Sequence, residues 1–202
     1  MTVNAMRVLT VSGSLRGQST NTELLRALRL VASSDISVTL FEGLASLPAF
    51  NPDLDAEGMT PPTSVEEWRN QVVNAHALVI CSPEYAHGVP GSLKNALDWL
   101  VSVPAMVARP VALMNASPRS THAQVSLAET LRTMSVHLVG GTSWLVPVQR
   151  GMTSSAIAAD LTLAASLRSC LAAVAVAISN SRPAPAVPEA PRSFHPTPVE
   201  SA

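Results

Sequence analysis

Apolar and polar positions alternate along this chain in blocks. A short apolar run, Met6 to Val11, gives way to a polar stretch from Ser12 to Asn21. After it, Leu24, Leu25, Leu28 and Val31 recur with the spacing of a helix that buries one stripe. The same succession of run, loop and stripe then repeats. Val38 to Phe41 predicts a second strand, and Val65, Trp68 and Val72 give the next helix its buried face. Ala77 to Cys81 predicts a third strand, and Pro90 opens a helix with Leu93, Leu97, Leu100 and Val101 on one side. Val111 to Asn115 reads as a fourth strand, before a helix carrying Leu127, Leu131, Met134 and Leu138. Thr142 to Val146 predicts the fifth strand, and Ser154 to Ser179 an Ala- and Leu-rich fifth helix. Thr63–Glu66 and Thr121–Gln124 have the form of capping boxes at two of the helix starts.

Five strands alternating with five helices predict an α/β fold, a parallel sheet covered on both faces. The doubly wound order 2-1-3-4-5 follows, with its switch point between the first and third strands. Ligands bind beyond the carboxyl ends of strands at such a point, so the loops after strands one and three are expected side by side over a site. Residues 1–180 are expected to form this domain. Residues 181–202, rich in proline and alanine and without periodicity, are expected to be a mobile tail.

Composition narrows the partners. The chain has 202 residues, 47% of them hydrophobic, 13% charged, with a net charge of −1. Nothing in that balance suggests nucleic acid or an anionic membrane surface, which call for basic patches. The longest apolar run, Cys170 to Ile178, is far shorter than a membrane span, and no signal region precedes the first strand. Cys81 and Cys170 both sit in apolar surroundings without a C-x-x-C partner, which suits buried thiols in a reducing cytoplasm. His76, His122, His137 and His195 show no ligand spacing, so no metal site is expected.

The first loop contains neither G-x-G-x-x-G nor G-K-[ST]. It offers Ser14, Arg16, Ser19, Thr20 and Asn21 at the mouth of a helix. Hydroxyls, backbone amides and a helix N-terminus suit a monophosphate; a triphosphate would want Mg²⁺ ligands and a lysine, and the one lysine is Lys94. The same residues also suit a helix cap that holds no ligand. The third loop carries Glu84, Tyr85 and His87, more chemistry than a connector needs.

Gly13-Ser14-Leu15-Arg16 with Ser19 and Asn21, then Ser82-Pro83-Glu84-Tyr85, then Pro90-Gly91-x-Leu93-Lys94-Asn95-Ala96-x-Asp98-Trp99, resemble the NADPH-dependent FMN reductase family. That family belongs to the flavodoxin-like flavoproteins and includes quinone, azo-dye and chromate reductases. The resemblance spans roughly residues 6 to 146. It implies a flavodoxin-like fold with FMN as cofactor and NADPH or NADH as reductant. The acceptor it implies is a small molecule such as free flavin or a quinone. It assigns the FMN phosphate to Ser14, Arg16, Ser19, Thr20 and Asn21. It assigns the isoalloxazine to Pro83, Glu84, Tyr85 and the position of Ala86, with Ser117 closing the other side. No side chain need act as acid or base, so no catalytic residue is assigned; Glu84 more readily holds backbone or water than acts as a base. A homodimer or homotetramer is implied, with Trp99 suiting a core or a subunit contact. The alternative is an FMN-bound electron carrier or redox-responsive binding protein, though the near-neutral charge lacks the acidic docking face of such carriers.

Two stretches depart from the family pattern. Ala86-His87 follows Pro-Glu-Tyr where the family commonly has Asn and an aromatic, and Ser117-Pro118-Arg119-Ser120 replaces a glycine-rich turn. Arg119 suits either a nicotinamide-nucleotide phosphate or solvent. His87 suits contact with the second substrate or simply the space left by the small Ala86.

Overall fold

The computed structural model describes residues 5–181, so the expected tail from 182 onward lies outside the described residues. Its strands are β1 (Met6–Ser12), β2 (Ile36–Phe41), β3 (Ala77–Cys81), β4 (Pro110–Asn115), β5 (His137–Leu138) and β6 (Trp144–Leu145). Its helices are α1 (Thr20–Val31), α2 (Thr63–Asn74), α3 (Gly91–Asp98), α4 (His122–Thr133), α5 (Ser154–Ala159) and α6 (Leu161–Asn180). The sheet runs β2-β1-β3-β4-β5 with every pairing parallel, and β6 also pairs with β4. This is the doubly wound order the alternation predicts.

The pleat sends alternate residues to opposite faces, and each face has its own core. Leu9, Val11, Leu78, Ile80, Val111 and Leu113 meet α2, α3 and α4 through Trp68, Leu93, Leu97 and Leu127. On the other face, Val8, Val79, Ala112 and Met114 meet α1 and α6 through Leu24, Leu28, Leu167 and Val174. Trp68 packs against Phe41 with ring centroids 4.4 Å apart and the rings tilted by 32°, and it donates its indole N–H to the Ala96 carbonyl. Trp99 is fully buried and donates to Pro48 O at 2.9 Å, so its place is in this subunit's core. Val101, by contrast, is 67% exposed and leaves the stripe expected for α3, because α3 ends at Asp98.

The fifth strand position differs from expectation. It is filled by two two-residue pieces, β5 against the start of β4 and β6 against its end. The helix expected to run on to Leu138 stops at Thr133. Ser135 takes φ 58°, its N–H donates to Arg132 O, and Val136 N–H reaches back to Leu131 O, a Schellman closure normally marked by glycine. Between the pieces, Gly140 has φ +75°, and a Cβ there would lie 2.4 Å from the Trp144 ring.

Other local expectations also shift. Pro62 and not a threonine caps α2, and no side chain closes it. Asp160 breaks the expected last helix, its carboxylate accepting from the N–H groups of Thr162 and Leu163 to start α6. Helix α6 is long and apolar enough to cross a membrane by length and composition, which the nine-residue run alone does not suggest. Its stripe Leu167, Cys170, Leu171 and Val174 is buried in the core. Both cysteines are free and buried, and burial pushes each thiol up to about 12.

Candidate functional site

Beyond the carboxyl ends of β1, β3 and β4 lies a cleft of ≈ 740 Å³. Gly13 lets its walls approach each other. The Gly13 N–H donates to Cys81 O at 2.9 Å, and a Cβ at Gly13 would meet Ser82 Oγ at 2.8 Å and Leu93 Cδ2 at 3.0 Å. Any side chain there would push the first and third loops apart.

The β1–α1 loop is built on hydroxyls. Ser12 Oγ accepts from Thr22 Oγ1 at 2.8 Å and from Ser14 N at 3.3 Å, and Ser14 Oγ accepts from Arg16 N at 3.3 Å. Ser19 is the N-cap of α1, buried, its Oγ accepting from Thr22 N. Thus Ser14 and Ser19 shape the loop, while Arg16, Thr20 and Asn21 line the cleft. Asn21 reaches across to β3, where its Oδ1 accepts from the Cys81 thiol at 3.1 Å.

The β3–α3 loop contributes Ser82, Pro83 and Glu84 to the lining. Glu84 Oε2 accepts from Ala123 N at 2.9 Å, so this carboxylate caps α4 from a different loop. The capping box expected at Thr121 does not form: Thr121 makes no side-chain cap, and the Gln124 side chain instead donates to Ser82 O at 3.3 Å. Tyr85 to Gly88 then form a two-residue hairpin turn with reciprocal hydrogen bonds of 3.1 and 2.9 Å. Ala86 and His87 have φ of 49° and 60°, as a type I′ turn requires, yet neither is glycine or asparagine. Tyr85 and Ala86 lie outside the cleft lining, and Tyr85 is 55% exposed. His87 stacks on His122 with centroids 4.3 Å apart, and both line a separate groove between α3 and α4.

The β4–α4 loop repeats the device of the first. Ser117 Oγ accepts from Arg119 N at 3.3 Å, as Ser14 does from Arg16. Asn115 fixes the loop by accepting from Ser117 N and donating to Ser120 O. Ser117, Arg119 and Ser120 all line the cleft, and Ser120 Oγ is buried there with no hydrogen-bond partner among the described residues. Arg150, which follows β6, also lines it. Among the described residues none of Arg16, Arg119 and Arg150 forms an ion pair.

Of the ten residues the sequence singles out, Arg16, Thr20, Asn21, Pro83, Glu84 and Ser117 come together in the cleft, and Ser14, Ser19, Tyr85 and Ala86 lie outside its lining. Sequence reasoning missed Asn115, Ser120 and Arg150. The echo of Ser14-Leu15-Arg16 in Ser117-Pro118-Arg119 was a usable signal for the fourth loop; Arg150 carries no local motif.

Comparison with known proteins bears on this cleft. The sequence profile of a family described as NADPH-dependent FMN reductase matches residues 6–150. A quinone reductase of Escherichia coli is 36% identical over 114 residues, covering 55% of this chain and 60% of that protein. An NAD(P)H-dependent FMN reductase of Pseudomonas aeruginosa is 34% identical over 137 residues, covering 65% of this chain and 72% of that protein. The chain thus spans about 60% of the length of the quinone reductase it matches. In structure it is similar to a flavoenzyme NAD(P)H:(acceptor) oxidoreductase of Paracoccus denitrificans, with a TM-score of 0.67 at 23% identity, covering 85% of this chain and 98% of that one. A flavodoxin from the domain Archaea superposes with a TM-score of 0.58 at 14% identity, covering 85% of this chain and 99% of that one. Those two likenesses concern the fold.

Proposed function

The chain belongs to the NADPH-dependent FMN reductase family, and from that premise we propose that it binds FMN and works as an NAD(P)H-dependent reductase of a small acceptor. The observation that carries this reading is the convergence of three loops, after β1, β3 and β4, on one cleft. Its donor set fits the nucleotide: unpaired guanidinium groups suit a phosphate, and the buried, unpartnered Ser120 Oγ suits a polar ligand atom. Arg16, Thr20 and Asn21, with the α1 N-terminus, would hold the phosphate, on a loop shaped by Ser14 and Ser19. Pro83, Glu84 and the Tyr85–Ala86 turn would border the ring on one side and Ser117 on the other.

The chemistry FMN supplies when bound is acceptance of a hydride from NADPH or NADH at N5 and its delivery to an acceptor such as free flavin or a quinone. The side chains position and enclose; none is assigned as acid or base. Glu84 is committed to the Ala123 N–H, which ties the third loop to α4 and fixes the cleft's width.

In this reading the chain works in a reducing cytoplasm, which the two buried free thiols suit. It pairs with a second copy through the groove of ≈ 850 Å³ between α3 and α4, beside the exposed Val101 and Val125. Light scattering at micromolar concentration should give at least twice 21.1 kDa, and the monomer mass would reject the pairing. The purified protein should be yellow and should oxidise NADPH when a quinone or free flavin is supplied. A colourless protein that takes up no FMN overturns the reading. One that holds FMN without turnover is an electron carrier instead.

A further inference from the structure

The segment that follows β6 crosses the sheet's carboxyl edge and is pinned on both sides. Val148 N–H donates to Ala116 O at 3.1 Å, holding one end to the β4–α4 loop. Ser154 N–H donates to Glu23 Oε2 at 2.6 Å, holding the other to the first turns of α1. Arg26 and this N–H outweigh the effect of burial and lower the Glu23 pKa below its ordinary 4.5, so the carboxylate that pins the segment is ionised at neutral pH. Between the pins, Met152 N–H donates to Gln149 O at 3.2 Å, and Gly151 has φ +89°, as the third residue of a type II turn requires. Arg150 is the second residue of that turn, so its backbone is fixed while its exposed side chain lines the same cleft as Arg16, Thr20 and Asn21.

We propose that Arg150 is a binding residue for the phosphate group of the flavin nucleotide, brought over the β1–α1 loop by this strap. The inference rests on the FMN reading and adds a residue from a part of the chain outside the loops expected to hold the cofactor. Charge supports it. Arg16, Arg119 and Arg150 line the cleft with Glu84 as the one carboxylate among its described lining residues, leaving a formal excess of two positive charges. A phosphate monoester carries about −1.5 to −2 at neutral pH, so one such group balances the cleft. With the single lysine, Lys94, paired to Asp98 on α3, arginine forks must supply that balance.

The test measures equilibrium binding of FMN and of riboflavin to the full chain freed of flavin, for the parent, Arg150→Ala and Arg150→Lys. Arg150 is exposed and makes no ion pair among the described residues, so the flavin-free variants should melt with the parent. Arg150→Ala should raise the FMN Kd at least tenfold while the riboflavin Kd stays within twofold, and Arg150→Lys should recover part of the loss. An FMN Kd within twofold of the parent's overturns the role of Arg150, as does an equal loss for riboflavin, while FMN binding by the parent leaves the proposed function standing. A parent that binds neither flavin overturns both.

Discussion

At the amino end of the sheet, the guanidinium of Arg109 is buried and donates to the carbonyls of Ala75 and Ala105. Arg7 beside it donates to Asn74 O at 2.6 Å. Both arginines therefore close the last carbonyls of α2, where a helix has no acceptor partners of its own and where its dipole favours a cation. At the carboxyl end, Arg16, Arg119 and Arg150 face a cleft without a carboxylate or carbonyl partner among the described residues. The residue type is the same and the arrangement opposite. Where the donors are satisfied by the chain, arginine fastens the fold; where they are left open, the fold keeps binding capacity.

Strain does not separate the two ends. Ala86 and His87 take left-handed backbone near the cleft, but so do Ala108 and Ser135 at the far end, with φ of 58° each. The contrast lies in hydrogen-bond satisfaction, and it can be broken by substitution.

The largest effect is expected from Arg109→Ala. It strands two carbonyls in a buried setting and should cost about 2–4 kcal/mol of stability, read as a lower urea midpoint. FMN affinity of the folded fraction should be unchanged. A variant as stable as the parent would mean that Arg109 fastens nothing. Next, Arg16→Ala should weaken FMN by about 1.5–3 kcal/mol, roughly ten- to a hundredfold, and leave riboflavin alone. The flavin-free variant should unfold within about 0.5 kcal/mol of the parent. Equal weakening of riboflavin would move the phosphate away from Arg16. The smallest effect belongs to the turn: Ala86→Asn should stabilise by about 0.5–1 kcal/mol, because asparagine tolerates left-handed backbone that alanine resists. A lower melting temperature would show that the Ala86 methyl makes contacts that outweigh its strain.

Much of this was legible in the chain. The runs at Met6, Ala77 and Val111 gave three inner strands nearly to the residue, because buried parallel strands are continuous apolar blocks. Arg16, Asn21 and Pro83 lie on the two loops that the switch point brings together, and Ser117, on the loop after β4, came from the family resemblance. Most of the misses share one physical cause, a partner distant in sequence. Glu84 caps α4 from 39 residues away and the Gln124 side chain turns to Ser82 O, so Thr121–Gln124 looks like a box and is not one. Ser135 ends α4 without the glycine that would announce it, and Leu138 keeps helical spacing while pairing as a strand. Arg150 reaches the cleft on a strap held at one end by Ala116 O and at the other by Glu23, 131 residues from Ser154.

The divided fifth strand has a consequence for how copies of the chain meet one another. A sheet's outermost strand ordinarily exposes a row of unpaired amides and carbonyls, which invites another chain to add a strand and begin a fibre. Here that margin consists of His137–Leu138 and Trp144–Leu145, separated by a bend in which Gly140 and Gly141 take φ of +75° and +70° and the Trp144 ring closes over Gly140. An incoming strand finds no straight ladder longer than two residues to continue. On this flank the fold is blunted against strand-by-strand aggregation, and the glycine pair is what blunts it.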